Sequence, residues 1–408
     1  MNLRTALVLG AGAMAAVGAV VLLPVACSDE TNLKQVSSPE ARISADRVEQ
    51  TPAKLPKELW VTSQGQNVIF IRNFEDLSPI DEIALPAGAG PHIITFHTSD
   101  FAYIGGMTDG NVYVVDANAR AVVQTLKVAP TLAHQVKVSP DGSVALVSII
   151  GTRTLTKILV DEPNRSWTLD ASLDIGAATG KAPVCTVFRA DSRRAFVSLN
   201  PSGIAVVDVP TMTFVSQIPT DGFLACGMIK ADADHVVIAS TGGGGHIYTL
   251  DMTTETLTDR GTLGAASWHS FNMTADGTRG FGSSPLSDEV IVIDLTTTPV
   301  TRLGSIVFDQ VPGVGNNQPD AFGGGEAISG NVLPVGLRAA GNVALLNAHN
   351  LELRTLVNLE PPAPFNPMTC GPIGPPTGPG GCAVHGVTPR PREGRSSNEE
   401  GEGRQRDN

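Results

Sequence analysis

Six side chains of the types that bind transition metals stand at one repeating position in this 408-residue chain: His92, His134, Cys185, Cys226, His269 and His385. Each lies five residues ahead of a turn-like segment. Those segments are His97-Thr98-Ser99-Asp100, Ser139-Pro140-Asp141-Gly142, Ala190-Asp191-Ser192-Arg193, Ala231-Asp232-Ala233-Asp234, Thr274-Ala275-Asp276-Gly277 and Arg390-Pro391-Arg392. The chain has eight His and five Cys in all, so six hits in one seven-member column exceed chance placement. Imidazole and thiolate together suit borderline and soft metals, and copper ahead of zinc or iron, better than magnesium or calcium. His92, His134 and His385 fall on three consecutive repeats and are the expected core of a metal site with an open coordination position. His269, Cys185 and Cys226 are further ligands or neighbours of those ligands. Other readings of the two cysteines stay open: a disulfide between adjacent repeats, a redox pair, or small apolar filling.

The column spacings of 42, 51, 41 and 43 residues describe the element that must position these groups. After each Asp turn comes a short apolar run, such as Ala145-Leu146-Val147 or Ala195-Phe196-Val197. A Gly- or Ser-rich loop follows, then a second run closing on Asp or Asn, as in Val112–Asp116, Ile204–Asp208, Ile247–Asp251, Val290–Asp294 and Val343–Asn347. A more polar strand such as Val215-Ser216-Gln217-Ile218 ends the unit. Four short strands per forty residues define a β-propeller blade. The N-terminal strands Leu59–Thr62, Val68–Ile71 and Ile80–Leu85 lack a leading strand, and Cys382–Val387 lacks a following three. Together they make one blade. The expected fold is all-β: a seven-bladed β-propeller with the ring closed by a C-terminal innermost strand joining three N-terminal strands.

In a propeller the first residues of each innermost strand lie at one mouth of the central channel, so an equivalent column shares one side-chain direction. Pointing inward, the six would converge. The seventh blade breaks the pattern: counting back from Val332-Leu333-Pro334-Val335 reaches Phe322, with Asp320 and Glu326 close by. Two long insertions, Phe308 to Gly325 and Glu360 to Gly381, enter on the column face and would form a lid or wall there. His97, His235, His246 and His349 are expected to be structural or exposed. The Gly242–Gly245 run precedes no helix and is weak evidence for phosphate binding.

Leu59-Trp60-Val61-Thr62-Ser63, the Val-Val-Asp runs and Val138-Ser139-Pro140-Asp141-Gly142 resemble the YVTN-type seven-bladed propellers over residues 58 to 390. That family hosts surface proteins, lactonase-like enzymes and metal oxidoreductases, so the resemblance implies the fold and leaves the activity open. The His column is similar to those of nitrous oxide reductase and of the selenium-binding protein and methanethiol oxidase group. In those propellers histidines on one face hold copper, and the likeness extends to ligand type and location alone. A lactonase-like hydrolase would want carboxylates at the channel mouth, where the column offers only Asp320 and Glu326. A non-catalytic scaffold would present the same face to a protein or glycan partner or to a small-molecule ligand. Neither a Gly-x-Ser-x-Gly elbow nor a Ser/His/Asp set can be assembled.

Residues 1–27 resemble a bacterial lipoprotein signal. Met1 to Arg4 is basic, Ala6 to Leu23 is apolar, and Leu23-Pro24-Val25-Ala26-Cys27 precedes a polar stretch, so cleavage would expose Cys27 for lipidation. Pro24 departs from the usual aliphatic residue, and the alternative is an uncleaved membrane anchor over Ala6 to Ala26. Either way the propeller would face the periplasm or exterior of a bacterial cell envelope, with the membrane as a partner through the N-terminus. Residues 28–57 read as a disordered tether, and residues 391–408 as a disordered charged tail. Cys370 and Cys382 flank a Gly- and Pro-rich loop and are expected to pair as a disulfide in that oxidising setting. The net charge of −12 carries no basic stripe, which excludes nucleic acid as a partner.

Overall fold

The computed structural model describes residues 57–392, apart from 223, 225, 241–243, 265–267, 285–286, 309–318, 321–327, 329–330 and 360–383. Twenty-eight strands form seven four-stranded antiparallel sheets, the blades of a β-propeller. Six blades use four consecutive strands. The remaining one joins Val384–Pro389 to Glu58–Ser63, Val68–Asn73 and Pro79–Ala84, with Val61 opposite Val387 and Leu59 opposite Pro389. This is the closure read from the two ends of the sequence. It is called blade one below, and the others are numbered along the chain.

The turn motif has a direct physical basis. In Ser139–Gly142 the Gly142 N–H donates to the Ser139 carbonyl at 2.9 Å, while the Asp141 carboxylate accepts from Ser139 Oγ at 2.6 Å and from Ser143 N at 3.0 Å. Thr274–Gly277 repeats this, with Gly277 N to Thr274 O at 2.9 Å and Asp276 accepting from Thr274 Oγ1 and Thr278 N. Gly142 and Gly277 hold φ of +72° and +66°, where a Cβ would be strained. The Asp or Asn that ends each third strand serves the next turn in a similar way: Asp116 accepts from the N–H groups of Asn118 and Ala119, Asp251 from those of Thr253 and Thr254, and Asn347 from that of His349.

Burial falls outward across each blade. Innermost strands such as Pro91–Phe96, Ala133–Val138 and Ala182–Phe188 are buried along their whole length, whereas the outer strand Thr213–Ile218 alternates between exposed and partly buried positions. Between blades the sheet faces pack as separate apolar layers. Trp60, Ile71, Ile94, Phe96, Ile104 and Tyr113 share one, where Trp60 meets Phe96 edge to face at 5.3 Å. The 51-residue spacing in blade three comes from its long outer hairpin, Thr154–Asp161 with Ser166–Asp174. A single helical turn follows, Ile175–Thr179, capped by Asp174 on the Ala177 N–H. Blade seven's innermost strand is Pro319–Asp320, opposite Leu337 and Gly336. Phe322, Glu326, Cys370, Cys382, most of both long insertions, the signal segment with Cys27 and nearly all of the tether and tail lie outside the described residues. Among the described residues no helix is long and apolar enough to cross a membrane.

Neighbouring innermost strands are tied across the ring. The Thr62 hydroxyl donates to the His92 carbonyl at 2.6 Å and accepts the Gly386 N–H at 2.7 Å, so one side chain joins blade two to the closing strand. Thr388 Oγ1 adds a bond to the Ile94 carbonyl at 3.0 Å. Thr62→Val keeps the shape and leaves two buried backbone groups short of a partner. It should cost about 1–3 kcal/mol, read as a lower urea midpoint with an unchanged m-value.

Candidate metal centre

The column residues sit where the innermost strands depart from regular pairing. In blade two the register between the first and second strands jumps from Pro91 opposite Gly106 to Ile94 opposite Ile104, across His92. In blade three it skips His134, between Ala133 and Gln135. In blade four it skips Val184 and Cys185, and in blade one it skips His385 and Gly386. A β-bulge inserts an unpaired residue and re-aims its side chain, so each of these residues is turned out of its own ladder. Cys226 forms an isolated bridge with Ser270 of the next blade, immediately beyond His269.

Turned out of their ladders, the side chains meet. The His92 ring lies 3.7 Å from that of His385 and 4.4 Å from that of His134, centroid to centroid, and His269 is 5.7 Å from His385. The four histidines thus form an arc in which His92 links His134 to His385. His92, His134 and His385 are 3–7% exposed, so the arc is part of the packed axis and not an open rim; His269 is partly exposed. Two small residues allow the approach. A Cβ on Gly105 would lie 2.6 Å from the His134 carbonyl, and one on Gly386 would lie 2.6 Å from the His92 carbonyl.

Cys185 and Cys226 are joined as a disulfide between blades four and five, with Cα atoms 5.3 Å apart. It completes the column beside His134, whose Nδ1 is 3.9 Å from Cys185 Sγ. The ligand-type atoms of His134, Cys185 and Cys226 all lie within 4.8 Å of one another. While the sulfurs are bonded to each other neither is a thiolate, so in this state the ligand-type groups of the cluster are the imidazoles.

The hydrogen bonds and charges around the arc favour neutral imidazoles. His134 Nδ1 lies 3.0 Å from the Val184 carbonyl, which can only accept, so in the neutral ring the proton sits on Nδ1. His92 Nδ1 is 2.7 Å from the Gln64 side-chain amide, a group able to donate or accept according to its orientation. Burial holds the His92 and His385 imidazoles well below their ordinary pKa, and the neighbouring histidines and Arg338 push the same way. Arg338, 2% exposed, comes directly after the blade-seven strand Val332–Leu337.

Arg338, Gln64 and the bulges were not evident in the sequence column. Arg338 belongs to the blade where the column fails, and a bulge leaves no mark in an apolar strand pattern. The remaining histidines sit apart from the axis. His97 meets Glu162 at 3.3 Å, His235 meets Asp232 at 2.9 Å, His246 lies between Asp221 and Asp259 at 3.4 and 3.1 Å, and His349 faces Arg279 at 2.9 Å.

No protein-family model and no curated protein matches this sequence. Among solved structures the chain is similar to the dihydro-heme d1 dehydrogenase NirN in complex with DHE, at 15% identity and a TM-score of 0.54 over 90% of this chain and 80% of that one. It is similar also to a putative 6-phosphogluconolactonase from Bacteroides fragilis NCTC 9343, at 15% identity and a TM-score of 0.52 over 63% and 83%. The Dos1 propeller matches at 13% identity and a TM-score of 0.55 over 76% and 88%. At such identities the likeness establishes the fold: the protein is a seven-bladed β-propeller carrying a buried His/Cys cluster on its axis.

The depressed histidines make stability depend on pH in a defined direction. Unfolding returns His92 and His385 to pKa values near 6.5, so below that pH the unfolded chain binds more protons and stability falls as pH falls. The slope should approach about 1.4 kcal/mol per pH unit for each histidine until the folded pKa is reached. Urea unfolding of metal-free protein should show this loss below about pH 6.5. His385→Gln should flatten the slope.

Proposed function

We propose that the protein is a membrane-tethered, extracytoplasmic β-propeller whose axial histidines hold a transition metal, copper in preference to zinc or iron, and that it acts as a metal-dependent oxidoreductase. The observation that carries this reading is the meeting of four column histidines, with ring centroids 3.7 to 5.7 Å apart along the arc. His92, His134 and His385 would be the core ligands, with His269 beside them and Cys185 and Cys226 adjoining. The residues fit such an ion. Imidazoles held neutral need lose no proton to coordinate, and the His134–Val184 bond fixes a ring as backbone carbonyls do for metal-bound histidines. Arg338 bears on the choice of ion, because a dication beside it meets twice the repulsion that copper(I) does. Bound copper would supply one-electron redox chemistry. The protein would hold, orient and shield it from bulk water.

A planar macrocycle is not favoured between rings already in contact, whereas a single ion, held at about 2.0–2.1 Å from each ligating nitrogen, is a small enough guest for so close a set of rings. The lactonase-like alternative draws support from one structural relative's name, and the scaffold alternative from the fold alone. Neither accounts for the histidine arc. The Cys185–Cys226 disulfide supports an exported protein, since such bonds persist in oxidising compartments. With it goes the lipoprotein reading of Cys27 and the relation to YVTN-type propellers.

Protein purified from its native compartment should contain copper by elemental analysis. His92→Ala and His385→Ala should each lower occupancy about tenfold or more at limiting metal, with an unchanged β-sheet circular dichroism spectrum. Metal-free wild-type protein that takes up no copper(I) or copper(II) would sink the metal reading and leave the scaffold. Separately, Cys27→Ser should move the protein from the membrane to the soluble fraction, whereas an intact N-terminus at Met1 in the membrane would argue for the uncleaved anchor.

A further inference from the structure

The Cys185–Cys226 disulfide occupies two column positions on adjacent blades, in line with the histidines. A bond serving only as a staple could join the blades anywhere along their contact. This one stands where both sulfurs and a ring nitrogen of His134 are mutually within 4.8 Å, the spread of ligand atoms around one metal ion. The three groups are buried, so cleavage of the S–S bond would leave two sulfurs and an imidazole facing one another out of bulk water. The backbone already holds them there: the Cys185 N–H donates to Ser198 Oγ at 3.0 Å, Ser198 Oγ reaches back to the Cys185 carbonyl, and Cys226 is bridged to Ser270.

We propose that this disulfide is the closed, oxidised form of a second metal site, made of Cys185, Cys226 and His134 and selective for a soft d10 ion, copper(I) above all. Opening requires a dithiol reductant. Its two thiols pass two electrons and two protons to the Cys185–Cys226 bond, leaving two protein thiols and a disulfide in the reductant. Copper(I) then displaces both thiol protons and is held by two sulfurs and by His134, whose Nδ1 gives up its bond to the Val184 carbonyl as the ring proton moves to Nε2; this donor set suits copper(I) better than copper(II). Reoxidation by a disulfide-bearing oxidant passes the two electrons of the thiolates to the oxidant's S–S bond, which takes up two protons to become a dithiol. The Cys185–Cys226 bond re-forms and the ion is released beside the histidine arc, with which the site shares only His134, in ring contact with His92. The proposal stands whether or not the arc itself binds metal.

The test uses full-length protein in detergent, stripped of metal and divided into an untreated sample and one reduced with a phosphine under nitrogen. Copper(I) is titrated against a chromogenic chelator, and cobalt(II) serves as a spectroscopic probe. Reduced wild type should bind an additional equivalent of copper(I), about tenfold or more tighter than the oxidised protein binds any, and show thiolate-to-cobalt charge-transfer absorption that the oxidised sample lacks. Cys185→Ala/Cys226→Ala should lose both signals under reduction while retaining the metal uptake of the oxidised protein. His134→Ala should weaken the additional equivalent, and His385→Ala, outside the group formed by His134 and the two sulfurs, should keep it. A histidine arc that fails to bind metal would show as absent uptake in the oxidised sample and would leave this result unaffected. The proposal is overturned if reduction adds no equivalent, if the double variant keeps the added equivalent, or if reduction abolishes the β-sheet spectrum, which would make the bond a staple.

Discussion

Thr62 shows in one side chain the constraint on which this molecule is built. A ring of seven sheets brings its innermost strands together around the axis, where their polar backbone must be satisfied without water. Regular ladders use one edge of each innermost strand, and the other edge faces neighbours of the same kind. The hydroxyl of Thr62, bonded to the His92 carbonyl and the Gly386 N–H, answers this need between blades one and two. The Gln135 side chain does so between blades three and four, accepting the Thr186 N–H at 2.6 Å, as Ser148 and Thr186 do hydroxyl to hydroxyl at 3.2 Å. The same crowding places the bulges. Where a strand bulges, its unpaired residue is turned out of its own ladder.

The histidine arc therefore follows from the closure of the ring. Gly105 and Gly386 lack the Cβ that would strike the His134 and His92 carbonyls, so neighbouring bulges come close enough for the rings to touch. Once buried, the imidazoles lose the solvation that favours protonation, and the arginine ahead of blade seven's hairpin turn opposes it further. Neutral imidazoles are the form that ligates metal. The geometry of closure and the chemistry of the site are coupled through a few backbone positions, chiefly the register shifts at His92, His134, Cys185 and His385.

Much of this was legible in the sequence because a repeat reports its own register. The Asp-containing turns locate the end of each innermost strand, and the column of His and Cys follows by counting. The split blade is visible as three strands at one end and one at the other. What counting could not supply is what a non-periodic contact determines. The long hairpin and helical turn of blade three appear in sequence only as eight to ten surplus residues. Arg338, whose charge acts on His92 and His385, follows the second strand of a blade whose first strand departs from the repeat. The pairing of Cys185 with Cys226 needed the distance between adjacent blades, 5.3 Å at Cα, which spacing along the chain does not reveal.

A core selected for stability alone would not look like this one. The axis buries His92, His134, His385, Arg338 and Gln64 where apolar side chains of similar volume would fill the space without desolvating polar groups. The blades show the alternative within the same chain, since the layers between them are apolar and close-packed, as with Trp60 on Phe96 and Phe101 on Trp167. The polar residues are thus concentrated where seven strands converge and where side chains from four blades can act on one point. Depressed basicity, ligand-type donors and a disulfide coincide there. Such a coincidence is costly to keep in a core and marks a site whose chemistry, and not its packing, fixes the residues.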